Sequence, residues 1–195
     1  IRVHAGLTDT NVISLSIGPD ATGGRCLLAG TLYSGVFRST NDGSSWTAAN
    51  AGLTNTQVPV LLSCPNPAGG SDFYAGTSSS GIFRSTDYGL NWMAGSSGVR
   101  PIRMYSLAFR PNPAGGYFLY GGTTTGFFMS SDNGTTWMFS DAGLTDNHVK
   151  TIAAVTPEAG DPLLFAGTDG GGVFRSTDNG ALWSSSNSGL TGTDV

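Results

Sequence analysis

The chain has 195 residues, of which only 11% are charged, and its formal net charge is −4. This weakly acidic balance argues against a nucleic-acid partner or an anionic membrane surface. No apolar run approaches the roughly 18 residues that a membrane-spanning helix needs, so we predict no membrane insertion. Solubility must come from Ser, Thr, Asn and Gly, which is typical of a secreted, periplasmic or cell-surface protein.

Four blocks of short β-rich runs follow one another along the chain. The first block reads NVISLSIGP, RCLLAGTL, GVFRSTND and SSWTAANAG, and the other three repeat it with substitutions. Each run is bounded by Gly, Pro, Asn or Asp, which indicates closely spaced strands, and no window shows helical periodicity. A period of about 45 residues suits a blade of four strands. We therefore predict an all-β propeller with antiparallel blades at residues 11–50, 57–96, 102–141 and 148–188.

The two ends of the chain carry parts of the same repeat. The connector AGLTNTQ that follows the first block recurs at the start as AGLTDTN and near the end as SGLTGTD. Residues 1–10 and 189–195 are therefore predicted to be partial segments of flanking blades. Two explanations stay open: an excerpt from a longer array, which we favour, or copies of the chain that complete a ring together.

Each block also contains an eight-residue phrase that ends in Trp, written STNDGSSW in the first copy and STDNGALW in the fourth. Its Asp or Asn can accept hydrogen bonds from its own turn, its Gly can adopt positive φ, and its Trp can pack between blades. We predict a structural role for Ser39, Asn41, Gly43, Trp46, Ser85, Asp87, Gly89, Trp92, Ser130, Asp132, Gly134, Trp137, Ser176, Asp178, Gly180 and Trp183.

The first copy of this phrase differs from the others. It has Asn41 where they have Asp, and Asp42 stands one position later, so we expect its turn to be slightly altered. One carboxylate per copy is far from the six to eight oxygen ligands of a calcium loop. His4 and His148 stand too isolated in the sequence to form a metal site. The sequence predicts no metal and no cofactor.

The phrase resembles the Asp-box, Ser-x-Asp-x-Gly-x-x-Trp, of the bacterial neuraminidase repeat, and the resemblance covers all four blocks. It implies a β-propeller whose hairpins lie at the periphery, opposite the ligand site. The GVFRSTDNG hairpins and GLT connectors are similar to those of xyloglucan-hydrolysing propellers. Sortilin-type receptors and photosystem assembly factors resemble the chain in the repeat and not in the loops. A sialidase is excluded, because the required arginine signature is absent and the only Glu, Glu158, stands on the wrong face.

Two further residue sets recur with the blocks. Arg38, Arg84 and Arg175 occupy equivalent positions in the third strands, where the third block has Met129. Because each belongs to its own blade, they cannot converge, and we predict contacts to turns or to neighbouring blades. Cys26 and Cys64 fall toward the same face of adjacent blades. Either a disulfide or two buried free thiols would fit that placement.

One face of the predicted propeller collects the loops between blades and the loops between second and third strands. These loops are rich in hydroxyl and amide groups, which suit sugar hydroxyls or a peptide backbone, although simple solvated loops would have the same composition. The candidate ligand-binding residues are Tyr33, Gln57, Arg100, Arg103, Asn147 and His148. The resemblance to inverting glycosidases adds Asp9, Asp146 and Asp169 as weak catalytic candidates, since such enzymes use two carboxylates.

These features predict a non-catalytic binding module that recognises a glycan or a protein. A part of a xyloglucanase-like glycoside hydrolase and a structural subunit of an extracellular assembly are the alternatives. The near-identity of the blocks favours binding or structure, because catalytic sites usually need a blade that breaks the pattern. The third block comes nearest to that, with Arg100 to Arg103 in place of the usual connector.

Overall fold

A computed structural model describes residues 4–95, 102–155 and 162–195. Within them the backbone forms 16 β-strands and no helix, so the all-β prediction is confirmed. The strands form four antiparallel sheets of four strands each. The first sheet holds β1 (Val12–Pro19), β2 (Arg25–Thr31), β3 (Val36–Ser39) and β4 (Thr47–Ala48). The second holds β5 (Val60–Pro65), β6 (Ser71–Gly76), β7 (Ile82–Ser85) and β8 (Met93–Ala94). The third holds β9 (Met104–Pro111), β10 (Tyr117–Thr123), β11 (Gly126–Ser130) and β12 (Met138–Phe139). The fourth holds β13 (Val149–Val155), β14 (Leu163–Thr168), β15 (Val173–Ser176) and β16 (Ser184–Ser185).

Each sheet is a meander in which strands adjacent in sequence are hydrogen-bonded, as expected of a propeller blade. We call the sheets blades 1 to 4 in chain order. The chain divides into two compact units: the first, Ile1–Ser96, contains blades 1 and 2, and the second, Ser97–Val195, contains blades 3 and 4. The blade limits predicted from the repeat, including the flanking segments, remain a prediction.

In the first unit, the two blades bury a common apolar core. Cys26, Leu28 and Val36 of blade 1 pack against the side of blade 2 that carries Leu61 and Trp92. The second-strand glycine of blade 1 permits the close approach of blade 2. A Cβ atom on Gly30 would lie 2.6 Å from the Val58 carbonyl oxygen, so no larger residue fits without movement.

In the second unit, the same junction is built from larger side chains. Tyr120 and Phe127 of blade 3 pack against Ile152, Phe174 and Trp183 of blade 4. The Tyr120 and Phe127 rings stack with 5.8 Å between their centroids, and Phe127 meets Trp183 edge-on at 4.8 Å. Aromatic contacts of this kind add to the stabilisation that comes from burying the rings.

The eight-residue phrase forms the turn between the third and fourth strands. In every copy the Ser hydroxyl donates to the Asp or Asn side chain and accepts from the Gly amide four residues on. The acid oxygen also accepts a backbone amide, for example Leu182 N to Asp178 Oδ1 at 3.0 Å. The Gly residues adopt φ between 78° and 86°. The residue before each Gly also has positive φ, which the sequence did not predict.

The prediction that the turn of the first copy is slightly altered was wrong for its backbone. Asp42 and Gly43 have φ of 55° and 82°, close to the values in the other three copies. Asn41 Oδ1 accepts from the Ser45 amide at 2.9 Å, as Asp does elsewhere. Only the second polar atom of the side chain behaves differently. Asn41 Nδ2 donates a hydrogen bond to Ser45 Oγ, whereas the second oxygen of a carboxylate would accept one. One amide oxygen is sufficient to hold this backbone.

Two of the four Trp side chains, Trp92 and Trp183, pack between the blades of one unit. The Trp92 indole donates to the Ala49 carbonyl of blade 1 at 2.9 Å, and the Trp183 indole donates to the Ser140 carbonyl of blade 3 at the same distance. The Trp92 and Trp183 backbone amides bind the connectors through Ala51 and Ala142. Trp92 and Trp183 therefore link their turns to the preceding blade in the same unit.

The recurring arginines do not share one role. Arg38 Nε donates to the Tyr88 carbonyl in the turn of blade 2, which is the contact to a neighbouring blade that was predicted. Arg84 instead forms an ion pair with Asp72 in its own blade, with 2.6 Å between Nη2 and Oδ2. Arg175 is exposed.

The cysteines are two buried free thiols, so the disulfide alternative is wrong. Cys26 Sγ donates to the Tyr88 carbonyl at 3.2 Å. Burial raises the pKa of both thiols, because a thiolate would be poorly solvated there. Both therefore stay protonated at neutral pH and contribute to packing.

Candidate functional site

The connectors between blades are tied to the loops between second and third strands by one repeated carboxylate or amide. Asp9, Asn55 and Asp146 occupy this position, and each accepts the amide of the residue two places later. The second side-chain atom reaches across to the other loop. It accepts from the Tyr33 amide at Asp9 and from the Gly171 amide at Asp146, whereas Asn55 Nδ2 donates to Ser79 Oγ. These side chains hold the two loops together.

This bonding bears on the catalytic candidates Asp9 and Asp146. Asp9 is buried, and the Asn11 amide, together with the Tyr33 amide, lowers its pKa. A general acid of a glycosidase needs a raised pKa and a free proton-transfer path, whereas both oxygens of these carboxylates already accept backbone amides. Their geometry is that of a loop brace.

The third candidate, Asp169, belongs to a cluster of charged and aromatic groups in the second unit. Its carboxylate lies 3.2 Å from Lys150 Nζ. Lys150 Nζ also lies 4.7 Å from the centroid of the Tyr105 ring, and Arg103 Cζ lies 5.3 Å from that centroid. Two cations thus flank one tyrosine, and the ring quadrupole stabilises both. We call Arg103, Tyr105, Lys150 and Asp169 the Tyr105 cluster.

Two more of the expected ligand residues adjoin the Tyr105 cluster. The His148 carbonyl accepts from the Asp169 amide at 3.1 Å, which places the His148 connector beside the loop of Asp169. The side chains of Asn147 and His148 are exposed. Arg103 is also exposed, while Tyr105 and Lys150 are half-buried. The structure therefore brings together Arg103, Asn147 and His148 of the predicted set.

The other expected ligand residues are placed differently. Tyr33 and Gln57 belong to the first unit, where the Tyr33 side chain is exposed and Gln57 is half-buried. Their backbone amides bind Asp9 and Asn55, so both residues belong to the loop braces of that unit. Arg100 lies outside the described residues, as does Glu158.

The sequence did not single out Tyr105 as a site residue. It stands in a first strand, two positions after the connector, where the other blades have Ile13, Pro59 and Lys150. The available signal was this mismatch, since only blades 3 and 4 have a polar or aromatic group there. That signal becomes readable only when the strand register places position 105 beside position 150.

The described residues offer little for other kinds of site. They include no group of three or more His, Cys, Asp or Glu side chains that could hold a metal ion. In the same parts of the chain, no helix has the length and hydropathy to cross a membrane.

No family model matches this chain, and no curated protein matches it either. Solved structures do resemble it. An ancestral GH74 enzyme superposes with a TM-score of 0.70 at 20% identity, covering 92% of this chain and 25% of that one. The extracellular domain of a putative hybrid two-component system from B. thetaiotaomicron gives 0.62 at 20% identity, covering 88% and 21%. YCF48 bound to D1 peptide gives 0.57 at 17% identity, covering 89% and 52%.

These likenesses establish the fold, which is that of a β-propeller with four-stranded blades. The chain spans a quarter of the GH74 enzyme and about half of YCF48. An enzyme, a sensor domain and a peptide-binding protein share the fold, so the fold by itself does not select an activity. The function must be argued from the side chains at the site.

Proposed function

We propose that this chain is a non-catalytic binding module of a secreted or cell-surface protein, and that it contacts its ligand through Arg103, Tyr105, Asn147 and His148. The observation that carries the proposal is the Tyr105 cluster, where two cations flank a half-buried ring beside exposed amide and imidazole groups. Polar groups gathered at loop ends on a rigid sheet are the usual setting for recognition.

The chemistry of the cluster favours a ligand that carries a carboxylate. Asp169 neutralises Lys150, whereas no described acidic side chain forms a salt bridge with Arg103. A guanidinium binds a carboxylate with two parallel hydrogen bonds, and the adjacent amide and imidazole can bind hydroxyl or peptide groups. An acidic oligosaccharide and an acidic peptide both present this combination.

The braced carboxylates support binding over hydrolysis. Asp9 and Asp146 hold loop backbones with both oxygens, and Asp169 is engaged by Lys150. A hydrolase would need two of them released and placed on either side of a glycosidic bond. A propeller of this kind therefore supplies a rigid loop platform for a ligand.

The test is a binding assay on Arg103→Ala, His148→Ala and the double variant, with uronic-acid oligosaccharides and acidic peptides as separate probes. We expect each single change to weaken binding by about tenfold, the order of one charge-assisted hydrogen bond, with thermal stability near that of the wild type. Arg25→Ala, which removes an exposed arginine from the first unit, serves as the matched control.

Two outcomes would overturn this function. Unchanged affinity in the double variant would remove Arg103 and His148 from the site. Release of reducing sugar from xyloglucan by the wild-type chain, lost in Asp146→Asn, would show hydrolysis. A response confined to oligosaccharides or to peptides identifies the ligand class.

A further inference from the structure

Blade 1 leaves an apolar strand face uncovered. Alternate residues of β1 point the same way, and Leu15 and Ile17 are 68% and 54% exposed. Leu15 and Ile17, together with Leu27 of β2, line an open groove of about 250 Å³. We call Leu15, Ile17 and Leu27 the blade 1 face. Contiguous exposed apolar side chains of this size mark an interaction surface.

The structure shows what covers the same face elsewhere in the chain. Leu61 of blade 2 has the register of Leu15, since each pairs with the alanine of its second strand, and it is only 7% exposed. Ile152 of blade 4 has the same register and is 8% exposed. In each case the cover is the opposite side of the preceding blade in the same unit. The occupant that fits the blade 1 face is therefore another blade of this repeat.

Blade 4 presents the matching side. Phe165 and Val173 occupy the positions of Leu28 and Val36, which blade 2 covers completely in the first unit. Here both are half-exposed, and Val155 beside them is 45% exposed. One end of the chain thus carries an uncovered apolar strand face, and the other carries an uncovered side of the kind that packs on such a face.

Charge complementarity adds a specific contact. Arg175 of blade 4 is exposed and has the register of Arg38, which donates to the carbonyl of Tyr88 in the turn of the following blade. In blade 1, the position of Tyr88 is held by Asp42, which has the same positive φ. Asp42 is the only acid among the four residues at this position, and its side chain is 66% exposed. The turn that would receive Arg175 therefore carries the opposite charge.

We propose that copies of this chain associate head to tail, with blade 4 of one copy seated on the blade 1 face of the next. Arg175 of the first copy binds the turn of Asp42 in the next copy, replacing or sharing the exposed ion pair that Asp42 makes with Arg25 at 3.1 Å. Such a heterologous contact closes into a small oligomer if its rotation permits, and otherwise continues as an open array. This interface does not involve the Tyr105 cluster.

The test is the solution mass of the 195-residue chain by light scattering over a dilution series, with sedimentation equilibrium for the dissociation constant. We expect a concentration-dependent mass at a multiple of 20.0 kDa. Asp42→Arg and Arg175→Asp should each weaken association by about tenfold or more, and the double reversal should restore it to within about threefold. Circular dichroism checks that the exposed changes leave the fold intact.

The controls separate this interface from the ligand site. Arg103→Asp should leave the mass unchanged while abolishing ligand binding, and Arg175→Asp should do the reverse. A 20.0 kDa monomer at every concentration would overturn the proposal. So would an oligomer that survives both charge reversals, or a double reversal that fails to recover association.

Discussion

The first unit joins its blades through small aliphatic side chains, whereas the second joins them through aromatic rings at the same register. Leu28 and Val36 meet blade 2, and the equivalent positions of blade 3 are Tyr120 and Phe127. All four residues are fully buried. The strand order and register are the same in both units.

The arginine at each junction comes from a different strand in the two units. In the first unit Arg38, on a third strand, donates to the backbone carbonyl of Tyr88. In the second unit the third strand has Met129, and Arg110 of the first strand donates to Asn179 Oδ1 and to the Tyr120 hydroxyl, at 2.9 and 3.0 Å. Tyr88 and Asn179 hold the same turn position. In both units a guanidinium therefore contacts the turn of the next blade. It comes from the third strand in the first unit and from the first strand in the second.

The largest expected effect concerns the Trp residues that both junctions share. Trp92→Ala and Trp183→Ala should each lower the free energy of unfolding by about 3–5 kcal/mol, because each removes a buried ring and an indole hydrogen bond. Urea titration followed by circular dichroism measures this. Met93→Ala, an exposed change on the outer strand, is the control. A loss below about 1 kcal/mol for either Trp would show that its junction does not depend on the indole.

The aliphatic and aromatic cores should differ in their sensitivity to truncation. Phe127→Ala is expected to cost about 3–5 kcal/mol, and Val36→Ala about 2 kcal/mol or less, because the cost follows the volume removed. The same denaturation experiment gives both values. Equal costs would mean that the second junction relaxes into the cavity, and the aromatic contacts would then add nothing beyond area.

Arg110 and Arg38 should also contribute unequally to the free energy of unfolding. Arg110→Met should cost about 1–3 kcal/mol, because it withdraws a charged donor from the buried Tyr120 hydroxyl and from the Asn179 amide oxygen, and removes the guanidinium that lies 4.5 Å from the centroid of the Phe118 ring. The Tyr120 hydroxyl keeps its own hydrogen bond to Asn179 Oδ1. Arg38→Met should cost about 1 kcal/mol or less, because the Tyr88 carbonyl keeps the Cys26 thiol as a donor. Arg103→Met is the exposed control. If a double-mutant cycle of Arg110→Met with Asn179→Ala gave no coupling energy, the contact would have no energetic role.

The smallest expected effect on stability distinguishes the turn that contains Asn41 from the three turns that contain Asp at the same position. Partial burial raises the pKa of Asp87 and Asp132, but the hydrogen bonds of the turn outweigh it and hold both below the ordinary 3.8. The Leu182 amide and the Ser176 hydroxyl likewise lower the pKa of Asp178. A carboxyl with a lowered native pKa stabilises the fold above its unfolded pKa, and this contribution is lost as the pH falls through the native value.

Asn41→Asp should therefore leave stability at pH 7 at least as high as in the wild type and make it fall more steeply below about pH 4. Denaturation at a series of pH values measures the slope. Asn41→Ala, which removes the acceptor altogether, should be destabilised at both ends of the range. A slope identical to that of the wild type would show that the carboxylate is not held as in the other turns.

Much of the fold could be predicted because each repeat contains the same interacting groups. The phrase from Ser176 to Trp183 contains every group that its turn needs, so the role of Asp178 follows from local chemistry. The prediction for the turn of Asn41 was wrong because it assumed that the turn needs a carboxylate, whereas the turn requires only an oxygen acceptor. The free state of Cys26 and Cys64 could not be decided from the sequence, since both alternatives fit the same placement.

The site was harder to predict because it depends on register between blades. Arg103 and His148 were chosen for their loops, and the structure does bring them to one region of the second unit. Tyr105 and Arg110 were not chosen, because each lies inside a first strand that reads as core. Their partners Lys150 and Asn179 are more than forty residues away in the chain.

The sequence by itself determined the four-stranded blades and their turns, because each arises from neighbours within one repeat of about 45 residues. Only the tertiary structure decided which side chains meet across a junction. Strand register and packing volume place Lys150 over Tyr105 and Arg110 on Asn179, and they bind Asp9 and Asp146 to loop amides. Those contacts are long-range, so no local pattern in the chain encodes them.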